Sequence, residues 1–173
     1  MNDRVLVVVK GGGDLATGVA YRLFRAGFRV VVTEVAQPLA VRRAVSFAQA
    51  VYSGAHVVDG VTARRAYSVA EACRLRGVLP VLVDPDASSV RELRPQVVID
   101  AIMAKTNTGT RLCDAATVIA LGPGFTAGRD CHAVIETSRG EGMGRVITRG
   151  SAAPDTAVPV SYTHLRAHET GRN

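Results

Sequence analysis

Residues 5–18 read VLVVVKGGGDLATG, an unbroken β-branched and leucine run that hands over to a lysine, three glycines and the start of a helical pattern. An apolar run of this kind is the pattern of a strand buried on both faces of a parallel sheet. Val19, Leu23 and Ala26 then recur at helical spacing over 17–26, and Gly27 closes the helix. Residues 29–33, RVVVT, read as a second buried strand. Together they make a βαβ unit, whose crossover is right-handed in nearly all cases.

The loop between strand and helix has the spacing of a dinucleotide-binding turn. Gly11 stands where a tight turn is needed, Gly13 where backbone N–H groups approach a pyrophosphate, and Ala16 where helix and strand pack closely. The spacing G-x-G-x-x-A is weak by itself, but it follows a buried strand, opens a helix, and meets Glu34 at the end of the next strand, about twenty residues on. Glu34 is placed to bind a ribose and favours NAD or another non-phosphorylated ribose, because it would repel a 2′-phosphate. The competing reading is a glycine corner in which Asp14 or Thr17 caps the helix. Lys10 ends the strand as a point charge for a phosphate, whereas Asp14 puts negative charge where the anion should sit. Asp14 therefore needs a separate role: a cap, a partner for a ligand hydroxyl, or a contact to a bridging cation. Lys10, Gly11, Gly12, Gly13, Asp14, Ala16, Thr17 and Glu34 form the first candidate binding set.

Further along, alternation continues. LAVRRAVSFAQAVYSG, residues 39–54, has helical spacing closed by Gly54, and HVVDGVTARRA is less regular. Ser68 and Glu71 make a capping-box start to a short helix that stops by Gly77. VLPVLVD reads as a strand starting near Val81, since Pro80 disfavours an earlier start. SSVRELRP is a helical turn ended by Pro95, and VVIDAIM, TVIALG and HAVIE read as three more strands. Strands alternating with helical stretches give an α/β domain with a mostly parallel sheet flanked by helices, Rossmann-like, and expected to be incomplete at its C-terminus.

A second glycine loop, GPGFTAG at 122–128, follows TVIALG, and a loop at a strand's carboxyl end is where ligands bind in open α/β sheets. Gly122 and Gly124 join the binding set on that ground. Arg139, in VIETSRG, could clamp a phosphate bidentately or pair with Glu136 or Glu141. Asp100 with Lys105 could be an acid/base pair or a structural salt bridge. No nucleophile elbow, HExxH or Ser/His/Asp order occurs, His56 and His132 are isolated, and no catalytic residue is assigned.

Composition bounds the function. The chain has 173 residues, 47% of them hydrophobic, enough for one main domain with a proper core. A formal charge of +6 is spread over single arginines and pairs such as Arg42–Arg43 and Arg64–Arg65, with aromatics at only 5%, which reads as a solvated basic surface rather than a nucleic-acid footprint. Cys73, Cys113 and Cys131 are widely spaced, with no CxxC and no zinc-ligand cluster, so reduced thiols and no metal site are expected. Cys131, beside Asp130, has no electropositive surroundings and reads as a core thiol. The apolar run before Lys10 is too short for a signal peptide or a membrane span, so a soluble cytoplasmic protein with no membrane partner is expected. The end of the chain breaks the pattern: VSYTHLRAHETGRN has neither helical nor strand periodicity, and SYTHLRAHET resembles a translated sequencing-library adapter. The domain is accordingly expected over 1–159, truncated, with 160–173 a non-native tail.

VVVKGGGDLATGVAYRLFRAGFRVVVTE, QPLAVRRAVSFAQAVYSG, VVIDAIMAK and ALGPGFTAGRDCHAVIETSRG with GRVITRGSAAPDT, in this order, resemble the selenium-dependent molybdenum hydroxylase accessory family, related to the xanthine dehydrogenase accessory proteins. The resemblance implies a cytosolic Rossmann-like protein that helps mature a molybdenum hydroxylase by handling its molybdenum cofactor, or the cofactor's sulfur or selenium ligand, before insertion. It places the family's shared positions at 10–18, Glu34, Arg42, Arg43, Asp100, Lys105, 122–128 and 136–140, and the family continues past the odd tail. The expected function is an accessory protein that binds a nucleotide or molybdenum-cofactor-type ligand through its glycine loops, with the client hydroxylase as partner. The alternatives are an NAD-dependent oxidoreductase and a non-catalytic nucleotide-binding module.

Overall fold

The computed structural model describes residues 4–154, so the expected boundary at 159 and the tail from Val160 lie outside the described residues. The first strand, β1 (Leu6–Lys10), is buried along its whole length, and α1 (Asp14–Arg25) returns the chain to β2 (Arg29–Glu34). Then come the one-turn α2 (Ala50–Ser53), β3 (Ala55–Val58), β4 (Val61–Ala66), α3 (Val69–Arg74), β5 (Leu79–Val83), α4 (Ser89–Leu93) and β6 (Val97–Asp100). β7 (Thr117–Leu121), β8 (Ala133–Ile135) and the short β9 (Val146–Ile147) complete one sheet in the order β3-β4-β5-β2-β1-β6-β7-β8-β9.

This is the expected α/β fold with a mostly parallel sheet. Seven neighbouring strands from β4 to β8 run parallel, and the antiparallel β3 and β9 close the two edges. With the β3–β4 hairpin set aside, β5-β2-β1-β6-β7-β8 is the strand order of dinucleotide-binding doubly wound sheets. The order reverses between β1 and β6, so a crevice opens beyond the carboxyl ends of those two strands. Among the described residues no helix is long and apolar enough to cross a membrane.

Alternation along the strands divides the core between two faces. Val7, Val9, Val30, Val32, Val81 and Ile99 pack under α1 and α2 with Ala16, Ala20 and Phe47. Leu6, Val8, Val31, Leu82, Val98 and Val118 pack on the other face under α3 and α4 with Val90 and Phe125. Residues buried on both faces must be apolar at every position, which is why VLVVV shows no polar interruption.

Three local expectations are corrected. The helix read over 39–54 is instead two 3-10 turns, Arg43–Val45 and Phe47–Gln49, ahead of α2. Its N–H groups go elsewhere: Phe47 N–H donates to Thr17 Oγ1 at 2.8 Å and Ala48 N–H to Gly12 O at 2.8 Å, while Ser46 is extended. β5 begins at Leu79 and contains Pro80, because the ladder to β2 starts only at Val81. The irregular stretch 56–66 is a hairpin, with Asp59 and Gly60 at φ 46° and 78° as its two-residue turn.

α4 ends on Arg94 at φ 46°, a left-handed cap position where glycine is normally favoured. Arg94→Gly should therefore raise the unfolding free energy by about 1 kcal/mol, measured by urea denaturation.

Candidate functional site

A cleft of about 560 Å³ lies where the topology puts it, lined by Lys10, Gly11, Gly13, Asp14, Thr33 and Glu34 from the ends of β1 and β2. Its opposite wall comes from 35–41, from Asp84 and Pro85 after β5, and from Ile102 and Met103 after β6. Leu39 and Val41 stand on this wall 91% and 98% exposed, two bare apolar side chains beside the glycine loop.

The loop's glycines are shaped by close neighbours. Gly11 has φ +92°, and a Cβ there would lie 3.0 Å from Ile102 Cα and 3.1 Å from Ala101 O. A Cβ on Gly12 would meet Ala48 N at 3.0 Å and Glu34 Cγ at 3.1 Å. Gly13 is different: a Cβ there would meet nothing within 4 Å, so its side is open to the cleft.

Two loop N–H groups are already engaged. Gly11 N–H donates to Thr33 O at 2.8 Å and Gly12 N–H to Glu34 Oε1 at 2.9 Å, while Val35 N–H donates to Glu34 Oε2 at 2.7 Å. Glu34 thus braces the loop from the end of β2, and its remaining lone pairs are what it can offer a hydroxyl. Gly13 is the N-cap of α1, without a side-chain cap, and among the described residues its N–H has no backbone acceptor, whereas the Asp14 N–H is engaged by its own carboxylate. The Gly13 donor, at the positive end of the helix dipole, can receive an anion.

Asp14 is the first residue of α1 and not its cap. Its Oδ2 accepts from Arg42 Nε at 2.7 Å and also from the terminal guanidinium nitrogen, and its Oδ1 accepts from Leu15 N–H at 2.9 Å. The Arg42 hydrogen bond holds the Asp14 carboxyl below its ordinary pKa, against a smaller upward push from burial. The pair fastens the irregular segment 35–46 to the start of α1. Asp84 is likewise kept low: burial pushes it up, but hydrogen bonds from Ser89 and Ser88 at the start of α4 outweigh that.

Lys10 is not a free charge. It is 4% exposed, its Nζ donates to Thr110 Oγ1 at 2.5 Å and lies 3.4 Å from Asp100 Oδ2, and Thr110 Oγ1 donates to the same oxygen at 2.5 Å. Thr17 is also internal, its Oγ1 donating to Gly12 O at 3.1 Å while accepting from Phe47 N–H. Ala16 is buried under the sheet.

The second glycine loop does not line the cleft. A Cβ on Gly122 would lie 2.7 Å from Thr137 Oγ1 and 3.1 Å from Met103 Cε; on Gly124 it would lie 2.7 Å from the Lys105 carbonyl group and Thr106 Cα. These glycines let 122–125 press against the back of 103–106, and Phe125 anchors the loop in the core. Arg139 is exposed and lines none of the cavities described here. Glu136 is buried and accepts from Ser138 N–H at 2.8 Å and Ala153 N–H at 2.7 Å. Those backbone bonds hold its carboxyl below its usual pKa. His132 Nδ1 accepts from Val118 N–H at 2.9 Å, His56 bonds Ala44 O at 3.0 Å, and Cys131 is buried, burial and then Asp130 pushing its thiol up. Sequence reasoning missed Leu39, Val41, Asp84 and Met103; of these only Asp84, at a strand's carboxyl end, carried a signal.

No protein-family profile matches the chain, and no solved structure matches it. The uncharacterized protein YqeB of Escherichia coli (strain K12) is 54% identical over 169 residues, an alignment spanning 96% of this chain and 31% of that protein. The two are homologous, and the chain spans about a third of the length of the curated relative it matches.

Thr17→Val should destabilise the fold by about 1–3 kcal/mol in urea melts, because Phe47 N–H is left without an acceptor. Glu136 gives a pH-dependent counterpart. With its folded pKa lowered, its contribution is present above the ordinary carboxylate range and is lost as pH falls through the lowered value. Glu136→Gln should therefore cost stability at pH 7 and converge on the parent in acid, read from melts across pH.

Proposed function

We propose that the cleft beyond β1 and β6 binds a nucleotide or a pterin of the molybdenum-cofactor type, and that the protein is an accessory factor in the maturation of a molybdenum hydroxylase in the cytoplasm. The observation that carries the reading is the open side of Gly13 at the N-terminus of α1, inside a cleft at the reversal of strand order. Gly13 N–H would take a phosphate oxygen, Glu34 a hydroxyl, and Leu39, Val41 and Met103 the flat face of a ring. The accessory role itself rests on the resemblance of the motif blocks to the molybdenum hydroxylase accessory family, whose client enzyme would be the partner.

The experiment is thermal unfolding with NAD and with molybdopterin-containing extract, on the parent and on Gly13→Leu. A Cβ on Gly13 would meet no atom within 4 Å and its φ of −64° suits any side chain, so the variant should stay folded. At about a hundred times Kd a ligand should add about 2.7 kcal/mol of stability to the parent. Most of that gain should vanish in Gly13→Leu. Stabilisation by the pterin extract and not by NAD would favour the accessory role over an NAD-dependent enzyme; a parent that neither ligand stabilises, or a variant that responds as the parent does, would refute the site.

A further inference from the structure

A second cavity, about 840 Å³, lies between α4 and the 101–116 connection, and Lys10 stands in its wall as well as in the wall of the cleft. Its character is opposite to the cleft's. The cleft is lined by Asp14, Glu34 and Asp84, whereas the second cavity is lined by three arginines, Arg91 of α4, Arg94 at its cap and Arg111 from the connection. Asp86 and Asp114 also face it, and Asp114 Oδ2 accepts Arg111 N–H at 2.9 Å. Among the described residues, none of the three guanidinium groups is in an ion pair with a carboxylate.

The backbone is also unusual here. Among the described residues five non-glycine residues have positive φ, and two of them, Ala87 just before α4 and Arg94 at its left-handed cap, line this cavity. At Arg94 the left-handed residue is itself one of the three cations.

We propose that this second cavity is an oxyanion site that binds a phosphate-bearing small molecule, with Arg91, Arg94 and Arg111 taking the phosphoryl oxygens. The planar fork of a guanidinium matches two such oxygens at once, and three forks on two elements can surround a tetrahedral group. The volume lies within the range of small-molecule sites and exceeds what an inorganic ion would fill. The inference stands on this cavity and does not depend on the reading of the cleft.

Cys113, exposed and in the cavity wall, supplies the readout. Its alkylation by iodoacetamide is followed by mass spectrometry in the presence of inorganic pyrophosphate or AMP, with sodium chloride at matched ionic strength as reference. Half-buried Cys73 and buried Cys131 serve as internal controls. At about ten times Kd, alkylation of Cys113 should slow about tenfold with Cys73 unchanged. The protection should disappear in the Arg91→Ala/Arg94→Gly double variant, and Arg111→Gln should weaken it should the double variant not fold. Protection by both compounds means that a bare phosphoryl group suffices; protection by AMP alone means that the phosphate must come on a nucleoside. Absence of protection by either, or undiminished protection in the arginine variants, overturns the proposal. A failure of NAD and pterin to stabilise the protein leaves this outcome independent, because the cleft is altered at Gly13 and this cavity at its arginines.

Discussion

The Lys10–Thr110–Asp100 chain is the constraint on which the rest of the molecule turns. Lys10 and Asp100 are paired in register at the carboxyl ends of β1 and β6, both almost fully buried, and Thr110 closes the gap between ammonium and carboxylate. Removing one partner of such a pair leaves an uncompensated buried charge and costs about 3–5 kcal/mol. Because Thr110 belongs to the connection after β6, the same bonds that neutralise the pair draw that connection back over the sheet. Its first residues, Ile102 and Met103, become a wall of the acidic cleft, and Arg111 and Cys113 become a wall of the arginine-lined cavity. One buried proton donor thereby partitions the carboxyl edge of the sheet into two chambers of opposite charge.

The parts of the structure legible in the sequence are those in which neighbouring residues settle the outcome. VLVVV, RVVVT and VVID are strands because continuous apolar runs of that length suit a doubly covered sheet, and α3 begins at Ser68 because its side chain accepts the Glu71 N–H. The segment 39–54 has the period of a helix and still does not form one before Ala50, since Gly12 and Thr17 take the N–H groups of Ala48 and Phe47. That competition is tertiary and leaves no trace in local spacing. The Asp59–Gly60 turn, in contrast, was written plainly as D-G between apolar residues, and the irregularity of its flanking strands hid it.

At the candidate site, the glycine loop and Glu34 lie together as their spacing implies, because strand, turn and helix fix their relation within one βαβ unit. Charges were less legible. Lys10 reads as a phosphate-neutralising cation in the chain and is a core ion in the fold, since its partner is ninety residues away and one strand over. Gly122 and Gly124 look like a second ligand loop, yet their missing side chains accommodate the backbone of 105–106 and the tip of Met103. A glycine that makes room for protein and one that makes room for a ligand have the same letter, and only the atoms opposite them tell the two apart.

The β3–β4 hairpin has a consequence for the order in which the molecule assembles. Parallel strands must wait for long crossover segments to close, and such non-local pairing is slow. A two-residue turn lets β3 and β4 pair within about 1–10 μs, although two strands alone are only marginally stable until a third joins them. Once formed, the hairpin offers β5 a finished edge whose Ala63 and Arg65 already stand opposite Leu79 and Val81. An insertion that looks peripheral in the finished sheet can thus act as an early template, recruiting the third parallel strand from outside while β2 recruits it from within.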